Sequence, residues 1–428
     1  MMNMRVNKLI GCFYIVFCFK IDGFIHLPFA FLPRRSGTTC SPRFQAAPSM
    51  HTDHVLTMPF DQLATELGGT GKARIVWNHL RHGRNPLLSV QSTGNVTNHS
   101  KDHELLSDKA QQRLKYLLGE GDLIPNTLVG ESLATDGTRK LLLRLSDNQE
   151  IESVLIPSVK HDRTTICIST QVGCDRGCAF CLTATMGFVR NLTATEMAAQ
   201  VIRGIELATQ RNMPVVSNVV FMGMGDSGRN IQEVGQAVAC MTDGNRLSVA
   251  KSKVTVSTVG PSPQIFTDIA QMNCTIAWSL HSCDEQIRRR LVPSSKYTLA
   301  ELRNGLVAAL RARSSMRMRT IMIALTLIEN INDKPEDALL LAEFLRPVLK
   351  ATSKIAIDLI PYNDISVVGF SQPTRERINA FQQVLRDQGY FCTVRVTRGD
   401  DESAACGMLA TKSTKKRVAA NRSSHIAC

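Results

Sequence analysis

Apolar positions along this chain change their period twice. Between residues 55 and 118 they recur at helical spacing. Asp61-Gln-Leu-Ala-Thr-Glu-Leu67 runs into Gly68-Gly69, a helix C-terminus signal. Lys72-Ala-Arg-Ile-Val-Trp-Asn-His-Leu80 puts Ile75, Val76 and Leu80 on one face, with Lys72, Arg74 and Arg81 elsewhere. Residues 91–101 are polar and rich in Gly and Asn, which reads as a linker, and a helix is expected around 108–118. The pattern then turns hairpin-like. Residues 138–145 and 151–156 flank the turn Asp147-Asn148-Gln149.

From about Thr164 short β-branched runs alternate with helical ones. Strands are expected at 164–170, 215–222, 253–258, 274–280, 319–328 and 354–360, with helices at 193–210, 230–241, 299–313 and 334–349 among those between. A helix at 374–388 and a strand at 391–397 follow. Six β/α units predict an α/β fold with a parallel sheet. Ligands then belong at the carboxyl ends of its strands. The expected division is a segment 1–50, a helical unit 55–105, a linker helix and hairpin 106–160, the β/α body 161–411 and a basic tail 412–428.

Residues 1–50 change that picture, because they read as targeting sequence rather than fold. Arg5 and Lys8 precede an apolar run, Leu9 to Phe19, too short for a membrane span. A basic, hydroxyl-rich stretch around Arg34-Arg35-Ser-Gly-Thr-Thr follows. A signal followed by a transit-like stretch has the form of a bipartite plastid presequence; a mitochondrial presequence or a start codon placed too early are the alternatives. Net charge is +13, of which the first 50 residues supply +5 and the rest +8. The larger share points to a polyanionic partner, most simply RNA. Thirteen cysteines scattered through 428 residues are no disulfide scaffold. Cys240, Cys274, Cys283 and Cys392 read as buried structural thiols.

The chemistry concentrates in Cys174-Asp-Arg-Gly-Cys178-Ala-Phe-Cys181. Three thiolates in one loop suit an iron–sulfur cluster. A [4Fe-4S] cluster so held keeps one iron open for a substrate. Structural zinc wants four closed ligands, and only Cys167 offers a fourth. Further polar groups close the strands: Gly223-Met-Gly225-Asp226, Ser257, Ser279-Leu280-His281 and Asn363. Cys406 stands in Arg398-Gly-Asp-Asp-Glu-Ser-Ala-Ala-Cys-Gly407, a polar loop where a thiol can act as a nucleophile.

In their order and spacing these motifs resemble the RlmN/Cfr family of radical S-adenosylmethionine (SAM) RNA methyltransferases, from about Leu56 to about Lys412. The resemblance implies a partial (β/α)6 radical SAM barrel with a small helical N-terminal accessory domain. It implies a [4Fe-4S] cluster on Cys174, Cys178 and Cys181. It implies SAM on Gly225, Asp226, Ser257, Ser279, Leu280, His281 and Asn363. The family's acid after the second strand is Glu; here it is Asp226, one methylene shorter. The resemblance makes Cys406 and Cys167 the working pair. Cys406 takes a methyl from one SAM, a second SAM supplies a radical that activates it, and Cys167 closes a disulfide that frees the product. Glu152 matches a candidate proton acceptor, two residues out of the family's spacing; an exposed strand carboxylate is the plain alternative. The implied reaction is methylation of adenosine C2 in large-subunit rRNA and tRNA, by a monomer fed by ferredoxin or flavodoxin and not stably held at a membrane. C8 methylation of the Cfr type, or an RNA-binding protein bearing a cluster or zinc without turnover, are the competing readings.

Overall fold

The computed structural model describes residues 54–87, 105–365, 369–395, 404–405 and 407–409. The segment 1–50, the linker, the tail and Cys406 lie outside them.

Three helices open the described chain: α1 (Phe60–Leu67), α2 (Thr70–Arg81) and α3 (Asp108–Leu118). Gly68 ends α1 in the left-handed conformation at φ 74°, as the Gly-Gly pair predicts. Leu63, Val76, Trp77, Leu80 and Leu114 are fully buried and belong to the same hydrophobic core as the β/α body. Lys72 and Arg74 stay off that core.

A three-stranded antiparallel meander follows: β1 (Asn126–Leu133), β2 (Arg139–Leu145) and β3 (Glu150–Ser158). The turn between β2 and β3 has Asn148 at φ 64°, with Asp147 Oδ1 accepting from the Gln149 N–H at 3.1 Å. Strand β1 escapes the sequence pattern. Gly130 interrupts it at a bulge, and Glu131 is held by Arg139 and Arg211 rather than by apolar neighbours.

The parallel strands are β4 (Arg163–Cys167), β7 (Val216–Phe221), β8 (Val254–Thr258), β9 (Thr275–Ser279), β10 (Thr320–Leu327), β11 (Lys354–Pro361) and β12 (Phe391–Val394). Between β4 and β7 lies a small hairpin, β5 (Gln171–Gly173) with β6 (Phe188–Asn191). The large sheet runs β1-β2-β3-β4-β7-β8-β9-β10-β11-β12. Its β4-to-β12 stretch is the partial (β/α)6 barrel, extended by one strand. Helices α4 (Ala194–Gln210), α5 (Ile231–Thr242), α6 (Gln264–Ala270), α7 (Glu285–Leu291), α8 (Leu299–Ala312), α9 (Pro335–Leu349) and α10 (Arg375–Asp387) connect the strands. The short helices α6 and α7 fall below the length at which a 3.6-residue period becomes legible. Among the described residues no helix is long and apolar enough to cross a membrane.

Cys240, Cys274 and Cys392 are buried, as expected; Cys283, on the loop between β9 and α7, is only half-buried. No disulfide joins cysteines among the described residues. The Cys167–Cys406 disulfide expected during turnover therefore has no counterpart here, one partner lying outside the described residues.

Candidate active site

Parallel strands end together, so the residues just past them converge. Phe221, Met222, Gly223, Ser257, Thr258, Ser279, Thr326, Pro361 and Asn363 line one cavity with Cys174, Cys178 and Cys181. About 1040 Å³ of atom-free space, part of it open to solvent, lies there.

The cysteine loop is shaped by close backbone approaches. A Cβ on Gly173 would lie 1.9 Å from the Gly187 carbonyl oxygen, and Gly173 has φ 75°. Only glycine fits there. The Cys174 N–H donates to that same carbonyl at 2.9 Å, which ties the loop to the β5–β6 hairpin. The Arg176 N–H donates to Cys174 Sγ at 3.5 Å. The Ala179 N–H donates to Leu291 O at 3.0 Å, so the end of α7 braces the loop. Behind it, Leu182 N–H donates to Gly407 O at 2.7 Å and Thr183 Oγ1 to Leu409 O at 2.6 Å. The residue after Cys406 thus docks beside Cys181.

Burial pushes the Cys174 thiol up to about 12 and the Cys178 thiol well above its ordinary value. Thiolates here need a cation to compensate them. Among the described residues no three His, Cys, Asp or Glu side chains converge on a point that one metal ion could occupy. Three thiols on the wall of one cavity suit a cluster, whose irons each take one thiolate.

Gly225, at φ 96°, carries the chain past Thr170 and Gln171 into Asp226. Asp226 is 5% exposed. Its Oδ1 accepts from the Val259 N–H at 3.2 Å, while Oδ2 makes no hydrogen bond. Burial raises its pKa, against hydrogen bonding from Thr258 and the nearby Arg176 charge. A carboxylate on the cavity wall is a seat for an ammonium group.

His281 is buried and has φ 64°, strained for a non-glycine residue. Its Nδ1 accepts from the Thr326 N–H at 3.1 Å, so Nε2 carries the proton of the neutral ring. Asn332 Nδ2 donates to the His281 carbonyl at 2.6 Å. Phe180, inside the cysteine motif, packs on the imidazole at 4.4 Å. Ser257 Oγ and Ser279 Oγ lie 3.1 Å apart across neighbouring strands.

Three expected residues stand off the cavity wall. Leu280 is completely buried in the core. Cys167 ends β4 and is 7% exposed. Glu152 is 3% exposed, so it is no exposed strand carboxylate. Register pairs Val154 with Cys167, which puts Glu152 and Cys167 on one face of the sheet. Lys140 Nζ lies 3.5 Å from Glu152 Oε1. Sequence reasoning missed Lys140, Arg176, Asn332 and Arg288. Arg176 stands inside the cysteine motif but is not one of its spaced positions; the other three sit in no motif, although Asp284, which caps α7, is a local signal for the helix that carries Arg288.

No family model matches the chain. Among known proteins it is 38% identical to the dual-specificity RNA methyltransferase RlmN of Marinomonas sp. (strain MWYL1), over 66% of this chain and 75% of that one. It is 37% identical to the probable dual-specificity RNA methyltransferase RlmN of Chlorobaculum tepidum, over 74% of this chain and 84% of that one. A radical SAM methyltransferase from Sphaerobacter thermophilus superposes with a TM-score of 0.69 at 33% identity, over 83% of this chain and 98% of that one. The chain belongs to the RlmN family of radical SAM RNA methyltransferases. Its cofactors are a [4Fe-4S] cluster and SAM. The RlmN-family cavity fits both: thiols spread around it, glycines that let backbone approach, and a carboxylate oxygen lacking a partner.

Proposed function

We propose that this protein methylates C2 of adenosine in large-subunit rRNA and tRNA. The observation that carries the reading is the opening of Cys174, Cys178 and Cys181 into the same cavity as Asp226, Ser257, Ser279, His281 and Asn363. Cys174, Cys178 and Cys181 would hold the cluster. Asp226 Oδ2 would take the ammonium group of SAM, and Ser257, Ser279, His281 Nε2–H and Asn363 would bind its remaining polar groups.

Adenine C2 lies between two ring nitrogens and is electron-poor, so it does not attack an electrophilic methyl. Cluster and SAM together supply the methyl group and the one-electron chemistry that such a carbon requires. Cys406 carries the methyl to the base. Gly407, its neighbour, is held against the cysteine loop, which favours delivery there. Cys167 attacks sulfur to release the product, giving a Cys167–Cys406 disulfide. Glu152, on the same face as Cys167, accepts the proton lost from C2. The segment 55–105 serves as an accessory domain for RNA. Localisation to a plastid, by way of residues 1–50, completes the proposal.

The test is nucleoside mass spectrometry after anaerobically reconstituted protein is incubated with SAM, a reductant and unmodified rRNA or tRNA. 2-Methyladenosine is expected, and C406A protein should make none. Formation of 8-methyladenosine instead would overturn the C2 assignment.

A further inference from the structure

Arg288 on α7 is 1% exposed, and of its guanidinium only Nη2 is engaged, donating to Val259 O at 2.6 Å. Nε and Nη1 make no hydrogen bond among the described residues. A buried arginine in that condition is costly to the fold. What it touches explains it. Val259 accepts from Arg288 on its carbonyl, in the peptide to Gly260, and donates to Asp226 Oδ1 from its N–H, in the peptide from Thr258. Trp278 Nε1 holds the same carbonyl at 3.3 Å. The backbone of Val259 thus links the Arg288 guanidinium to the Asp226 carboxylate.

We propose that Arg288 is a positioning residue for Asp226, balancing and orienting the buried carboxylate through the Val259 backbone so that it receives the ammonium group of SAM. Arg288 and Trp278 hold the Val259 carbonyl from two sides, which fixes the backbone that presents the Val259 N–H to Asp226. That bond locks Oδ1 and leaves Oδ2 for the ligand. The guanidinium also offsets negative charge where Cys178 and Asp226 lie close together. Asp is shorter than Glu, so its reach depends more on how the carboxylate is turned. The inference rests on reading Asp226 as the ammonium acceptor.

The experiment measures equilibrium binding of two ligands to anaerobically reconstituted holoenzyme. One is SAM. The other is 5′-methylthioadenosine, which has the nucleoside and a sulfur but no amino-acid end. Wild type, D226N, R288M, R288K and D226N/R288M are compared at equal iron and sulfide content. R288M is expected to weaken SAM about tenfold or more, the scale of one charge-assisted contact, and to leave methylthioadenosine within about twofold. In the D226N background R288M should cost nothing further, because coupled residues are not additive. Equal weakening of both ligands means general damage to the cavity and overturns the proposal, as does unchanged SAM affinity. If R288M does not load, R288K decides by the same comparison: a loss confined to SAM supports the proposal, and equal or no loss overturns it. D226N with undiminished SAM affinity would instead remove the underlying reading of Asp226.

Discussion

At the scale of single residues, the cleanest constraint is Gly173. A side chain there meets the Gly187 carbonyl at 1.9 Å and holds a φ of 75°. G173A should therefore lower thermal stability and iron per chain together, by more than the roughly 1–2 kcal/mol of left-handed backbone strain alone. Lys140 and Glu152 make a second case. Both are nearly buried, with side chains 11% and 4% exposed, and lie 3.5 Å apart. K140M breaks this buried ion pair and should lower stability in denaturant unfolding, by up to about 3–5 kcal/mol. K140M/E152Q should recover part of that, since the buried carboxylate charge is then gone. No recovery would mean that the lysine stem, rather than its charge, supports the sheet. The identity of Glu152 as a candidate was legible from sequence; its partner was not, because Lys140 approaches from another strand.

Elements position the site as much as residues do. Helix α4 starts at a reciprocal cap: the Glu196 N–H donates to Thr193 Oγ1 at 3.2 Å, and the Thr193 N–H to Glu196 Oε2 at 2.9 Å. Arg190 links this cap to the β2–β3 turn through Glu196 and Asp147, each at 2.8 Å. Gln200 of the same helix donates to Ser169 O at 3.0 Å and accepts from the Ser169 N–H at 2.8 Å, just beyond β4. T193A should cost about 1 kcal/mol of global stability by loss of the cap. Hydrogen exchange should quicken first at the α4 N-terminus, and quickening confined to some other region would contradict this account. The extent of α4 was readable because its 17 residues keep one amphipathic pattern. Helix α7 has seven residues, so its role in bracing the cysteine loop emerged only from its packing.

For the whole molecule, pH and salt are the informative variables. Burial lowers the pKa of His281 well below 6.5, and the nearby Arg288 charge acts in the same direction. The folded protein thus keeps this ring neutral while the unfolded chain protonates it. Its contribution is fully present above about pH 6.5 and is lost as pH falls toward the depressed folded value, at up to about 1.4 kcal/mol per pH unit. H281Q retains an acceptor for the Thr326 N–H and should show a shallower loss of unfolding free energy between pH 6.5 and 5.5. Equal slopes would mean that His281 is not kept neutral by the fold. RNA binding should weaken steeply with salt. Residues 412–428 hold five Lys/Arg and no acid, so deleting them should reduce the slope of log K against log salt by at most about 4. A slope unchanged by the deletion would place the RNA contacts on the folded body alone.

Local chemistry by itself determined a good deal. Periodicity located the strands and long helices of the barrel to within a few residues, because each buries a face of fixed period. The cysteine spacing marked the cluster loop, because three ligands from one short segment are a local property. The polar residues past the strand ends were legible for the same reason, once the parallel order was inferred. Tertiary structure decided what depends on distant segments meeting. It put the three thiols and Asp226 around one cavity, paired Lys140 with Glu152, and set Arg288 behind Val259. It also moved Leu280, Cys167 and Glu152 off the cavity wall. Those outcomes turn on register and on burial of charge, which arise only when strands and helices far apart in the chain pack against one another.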